Sequence, residues 1–130
     1  MITAIWIAAA GFAGALLRFG LGALIARRRS QSPFPWGTFV INITGAFTIG
    51  LLYGIGVSGG TFSPRVSLVL GTGLVGAYTT FSTWALETMR LVRLRDYLLA
   101  GANLAFGVGA GLAATAMGYA VGRHLHFQQG

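Results

Sequence analysis

GLVGAYTTFSTWALE, residues 73–87, gathers Thr79, Thr80, Ser82 and Thr83 around Phe81 inside a chain made mostly of long apolar runs. Glycines come first and hydroxyl residues follow. Both weaken an α-helix, glycine through backbone entropy and threonine through its branched Cβ, so a break is expected within residues 76–80. At membrane depth, irregular backbone is tolerated only where it is buried in protein or lines a cavity, because lipid offers no partner to freed N–H and C=O groups. The carbonyls released at such a break can coordinate a small hard cation such as Na+. Packing by hydroxyl-bearing helices is the plainer alternative.

Working outward, the 130 residues are 55% hydrophobic and 8% charged, with a mean hydropathy of +0.73, whereas a soluble domain is roughly a quarter charged. Four runs, 2–26, 36–57, 66–91 and 97–121, each supply the approximately 20 apolar residues that a bilayer core requires. The connections RRRSQSPFP, SGGTFSP and RLRD are short and rich in charge or turn formers. The sequence therefore predicts an all-α integral membrane protein, one domain over 1–130, with four spans and the third broken near its middle. The first run lacks a basic start and is followed by Arg27, Arg28 and Arg29 instead of a small-residue cleavage site, which identifies a retained span. Trp36 stands where an interfacial aromatic anchors the second span. The glycine-rich segments GFAGALLRFGLGA and GAGLAATAMG are expected to let helix backbones approach closely. Without cysteine there is neither a disulfide framework nor a thiolate metal site, and His124 and His126 read as solvated tail residues.

The net charge of +7 comes entirely from arginine. Arginines clustered at the ends of apolar runs follow the positive-inside rule, so no nucleic-acid partner is expected; the lipid bilayer is the partner they point to. Arg27, Arg28, Arg29, Arg90, Arg93 and Arg95 fall on the first and third connections, against Arg65 and Arg123 on the second connection and the tail. Six against two predicts termini on the outer side.

Three polar features stand inside the spans. Arg18 lies about two turns before the arginine cluster and either snorkels toward that end or faces water in a functional role. Asn42 needs partners for its amide, which either holds helices together or donates to a passing anion; Thr38, four residues earlier, shares its face. The hydroxyl patch is the third. No carboxylate lies at mid-depth, since Glu87 is near the end of the third span and Asp96 is in a connection. With no H-E-x-x-H, P-loop or Ser/His/Asp arrangement, an enzyme is not expected.

GxxGAxxRF in the first span (Gly11, Gly14, Ala15, Arg18, Phe19), PWGTFVINITGAFTIG in the second and GLVGAYTTFSTWALE in the third together resemble the fluoride channel family known as Fluc or CrcB, over nearly the whole chain. The resemblance implies an antiparallel, dual-topology-type dimer in the inner (plasma) membrane that exports fluoride passively. It implies a fluoride pathway through Asn42 and Phe81, with Trp84 in place of a second phenylalanine, Thr38, Thr80 and Ser82 as hydroxyl neighbours, and Thr115 on the fourth helix. Asn103 stands where the family has a tyrosine, and Ala85 where several members have a serine. Arg18 matches a first-helix arginine at the vestibule. Gly76 and Thr79 match positions whose main-chain carbonyls, two from each subunit, hold a structural Na+ at the dimer centre. Trp84 is expected to keep an aromatic edge and to add an indole N–H donor.

Elementary physics is consistent with that activity. Fluoride is small and tightly hydrated, so its passage requires donors that replace water without trapping the ion. Hydroxyls, an amide and positively polarised ring edges are such donors. The alternatives are a small multidrug-type four-span exporter, which needs an acid that the first span lacks, and a non-conducting assembly subunit. The arginine imbalance leaves two dimers open: an antiparallel homodimer, or a heterodimer with an oppositely oriented homologue.

Overall fold

A computed structural model describes residues 1–56 and 61–127, and its described elements are helical throughout. They are α1 (Ile2–Arg28), α2 (Trp36–Gly56), α3 (Pro64–Leu68), a π-helical segment (Val69–Val75), α4 (Gly76–Tyr78), α5 (Phe81–Arg93) and α6 (Tyr97–Phe127). Four helical stretches are long and apolar enough to cross a bilayer, with α3 through α5 together forming the third. The helix ends lie within two residues of the expected spans, except that α6 runs six residues past Val121 and that Val57, the expected end of the second, lies outside the described residues.

Local chemistry sets the boundaries. Ser63 accepts from the Val66 N–H and Pro64 opens α3, a pairing suited to a helix start. At the far end of the third span, Arg95 takes a left-handed φ of 62°, which lets the Asp96 N–H reach the Leu91 carbonyl at 3.0 Å and end α5. Asp96 then caps α6 by accepting from the Leu99 N–H at 3.1 Å. Nothing between Val121 and Phe127 stops the fourth helix, so His124 and His126 stand on its last turns and not on a tail. At 31 residues α6 is about 46 Å long, well beyond a hydrocarbon core of about 30 Å.

Little side-chain surface is buried within one chain: Ile41, Val75, Leu91, Ala100 and Ala114 are the core, while Phe12, Phe19, Leu98, Phe106 and Leu112 are exposed. Such an outward apolar surface suits lipid or another protein surface. What joins the helices is close backbone approach. Along the α2/α6 seam, a Cβ added at Gly54 would lie 2.5 Å from the Tyr119 carbonyl oxygen, and Gly50 and Gly118 abut the opposing backbone just as closely. Gly14 of α1 meets the Leu74 carbonyl in the same way, pressing α1 against the π-helical segment. The third span is thus clasped by α1 where its hydrogen-bond pattern is least regular.

Candidate functional site at the helix break

Thr79 and Thr80 are extended, with φ/ψ of −81°/163° and −150°/118°, and they separate α4 from α5. The break falls within the expected residues 76–80. Asn42 of α2 holds it open: the Thr80 N–H donates to Asn42 Oδ1 at 2.9 Å, and Asn42 Nδ2 donates to the Thr80 carbonyl at 2.9 Å. This reciprocal pair fixes the amide orientation, since the flipped amide would set donor against donor and acceptor against acceptor. Thr80 also caps α5. Its Oγ1 accepts from the Thr83 N–H at 3.2 Å, donates to Thr83 Oγ1 at 3.0 Å and lies 3.4 Å from Ser82 Oγ.

These diversions free two carbonyls. In a continuous helix the Thr80 N–H would bond to the Gly76 carbonyl and the Thr83 N–H to the Thr79 carbonyl. The first goes to Asn42 and the second to Thr80 Oγ1. Arg18 Nη1 lies 3.4 Å from the Thr79 carbonyl oxygen, so the first-helix guanidinium turns inward to the break. Gly45 makes room for this geometry, because a Cβ there would run into the Thr79 side chain.

Two cavities flank the break. The larger, about 1010 Å³, is lined by Arg18, Thr38, Thr80, Thr83, Glu87 and Arg90 among others and reaches Arg29, Ser32 and Asp96 at its mouth. Both arginine-rich connections therefore share one end of the molecule, as the charge count assumed. Three arginines against Glu87 and Asp96 bias this vestibule toward anions. The smaller cavity, about 250 Å³, is lined by Phe39, Asn42, Ile43, Phe81, Trp84, Gly107 and Val108. Asn42 lines one and Thr80 the other, so their paired hydrogen bonds form the partition between a polar and an aromatic space.

Phe81 is 76% exposed, and its ring lies 5.4 Å from that of Trp84 at 51°. The indole N–H of Trp84 is not a free donor, contrary to the sequence-based expectation: it is 3.2 Å from the Asn103 carbonyl oxygen on α6. Asn42, too, spends one of its two amide hydrogens on Thr80. Arg18, Thr38, Asn42, Thr80, Phe81 and Trp84 thus gather around the break and its two cavities. Ser82 sits on the exposed first turn of α5. Asn103 is fully buried behind Trp84 and lines neither cavity. Thr115 donates to its own helix at Gly111 and meets α2 at Gly50, which is about 12 Å along that helix from Asn42. The sequence reading omits Thr83 and Glu87 from the pathway, although their i, i+4 spacing places both on one face of α5 with the vestibule.

Residues 5–119 match the family model described as CrcB-like protein, Camphor Resistance (CrcB). The chain is 46% identical over 116 residues to the fluoride-specific ion channel FluC 1 of Symbiobacterium thermophilum, covering 89% of this chain and 94% of that one. It is 45% identical over 121 residues to FluC 2 of Mycobacterium tuberculosis H37Rv, covering 91% and 90% respectively. FluC 1 of Streptomyces avermitilis matches at 44% over 110 residues, 85% of this chain and 87% of that one. With matches of this extent and its four membrane-spanning stretches, the chain is a multi-pass plasma-membrane protein that belongs to the CrcB-like family, a family of ion channels and not of enzymes.

Proposed function

We propose that the protein conducts fluoride passively, letting the ion leave the cytoplasm down its gradient. The observation that carries this reading is the Asn42–Thr80 partition, which places an amide and a capped set of hydroxyls between an arginine-lined vestibule and an aromatic cavity. An anion drawn in by Arg18 and Arg90 meets the Thr83 hydroxyl in place of water, with Thr38 and Thr80 lining the vestibule beside it. Beyond the partition, the remaining N–H of Asn42 and the ring edges of Phe81 and Trp84 take over. The described lining of the smaller cavity has no titratable side chain, which favours conduction over proton-coupled exchange. The relatives named fluoride-specific channels support fluoride as the ion.

The pathway needs a second copy. Phe81 faces outward from the single chain, and a Na+ ion held by the freed carbonyls of Gly76 and Thr79 has only two ligands from one protomer, short of a usual shell. An antiparallel dimer supplies the other two, and its central Na+ adds a fixed positive field. Six arginines against two give this chain one preferred orientation, so pairing with an oppositely oriented homologue stands beside the homodimer; equal populations of both orientations in a tag-accessibility assay would exclude the heterodimer. The functional test is growth. Bacteria stripped of their own fluoride export should survive fluoride when they express this chain, and should not when they express Phe81→Ile at equal membrane levels; rescue by neither wild type nor variant would remove the channel reading.

A further inference from the structure

We propose that α6 latches the Trp84 indole in one orientation, making it a fixed wall of the smaller cavity that discriminates fluoride from chloride, with Asn103, Thr88 and Gly107 as its positioning residues. This rests on the channel reading above. The latch is a closed loop of hydrogen bonds. Trp84 Nε1 donates to the Asn103 carbonyl at 3.2 Å, Asn103 Nδ2 donates to Thr88 Oγ1 at 2.8 Å, and Thr88 Oγ1 donates to the Trp84 carbonyl at 2.8 Å. Backbone and side chain of Trp84 are thereby tied to the same residue of the neighbouring helix. A helix carbonyl keeps a second lone pair, so Asn103 accepts the indole without giving up its place in α6.

Burial makes the loop stiff. Asn103 is 0% exposed and Thr88 6%, and groups so placed have no water to exchange with. Asn103 Oδ1 is buried with no hydrogen-bond partner among the described residues; the loop runs through its Nδ2 and its main-chain carbonyl. Gly107 completes the seat. A Cβ there would lie 2.7 Å from Trp84 Nε1 and 3.2 Å from Cε2, so the indole fits against α6 only because position 107 has no side chain. Phe81, by contrast, lies outside the loop, and among the described residues its ring contact is Trp84. Within the chain, Trp84 alone of this pair is clamped by the loop. A clamped ring keeps the opening narrow whatever ion is present, which is a means of excluding an anion larger than fluoride.

The test uses a Trp6→Phe, Trp36→Phe background in which Trp84 is the sole tryptophan, excited where tyrosine does not absorb, reconstituted into liposomes. Gly107→Ala forces the indole off α6, and Thr88→Val breaks the loop with little change of shape and without touching the cavity lining. Each variant should lower Trp84 anisotropy and reduce the fluoride-to-chloride flux ratio about fivefold, the population change expected from the net worth of one hydrogen bond. Unchanged anisotropy in both variants overturns the latch; lowered anisotropy with an unchanged flux ratio overturns its role in discrimination. If the parent protein carries no fluoride, the channel reading and the discrimination role fail together, while anisotropy still decides whether the latch exists.

Discussion

Replacing Asn42 by alanine removes the side chain of α2 that holds the helix break open through both backbone groups of Thr80. Two hydrogen bonds of 2.9 Å are lost, and the backbone N–H and C=O of Thr80, a residue only 8% exposed, are left without their partners. Each lost bond contributes about 1 kcal/mol net, and each buried group left unsatisfied costs about 1–3 kcal/mol. The Thr80 N–H has one escape, since it can turn back to the Gly76 carbonyl and continue α4. That relief brings the expected loss to about 2–4 kcal/mol. It also removes a freed carbonyl and redirects Phe81, so flux should vanish even in protein that remains folded. Asn42→Asp should not rescue, because it keeps the acceptor for the Thr80 N–H but sets a carboxylate oxygen against the Thr80 carbonyl. Unfolding titrations in mixed micelles measure the first effect and liposome flux the second. A loss of stability below about 0.5 kcal/mol, the range of an ordinary surface substitution, together with wild-type flux would refute the assignment of Asn42 as the clamp.

Other substitutions test neighbouring parts of the account. Thr80→Val keeps the shape but removes the cap of α5, and should cost about 1 kcal/mol in the same micelle titration while lowering fluoride flux. Gly54→Leu drives a side chain into the α6 backbone at Tyr119 and should prevent recovery of folded protein, whereas the same change at Gly101, which has nothing within 4 Å, should be tolerated. If Gly76 and Thr79 hold Na+, the thermal midpoint of the purified protein rises with added NaCl and not with choline chloride, because a ligand that binds only the folded dimer stabilises it by mass action; equal midpoints would remove the ion.

The four spans were legible because length and composition are enough to recognise a bilayer-crossing helix. The break was legible for a local reason: glycine and threonine weaken the helix wherever they cluster. What could not be read are the contacts between distant residues. Asn42 and Thr80 are separated by 38 positions, and either role for the Asn42 amide suited the sequence equally well. Trp84 looked like a free donor because its acceptor is a main-chain carbonyl on another helix, and every residue has such a carbonyl. The π-helical segment gave no signal, since Gly71 and Gly73 are equally compatible with close packing and with irregular turns. Thr115 matched the family's pattern, yet its hydroxyl turns to its own backbone and its helix face meets the α2 seam.

The central claim is that the break between Tyr78 and Phe81 passes fluoride. Liposomes loaded with potassium fluoride and carrying the purified protein, opened to flux by valinomycin and followed with a fluoride electrode, test it most directly, with chloride-loaded liposomes as control. The account predicts rapid fluoride efflux with chloride retained. Retention of both ions by correctly folded protein, or release of both alike, would contradict it.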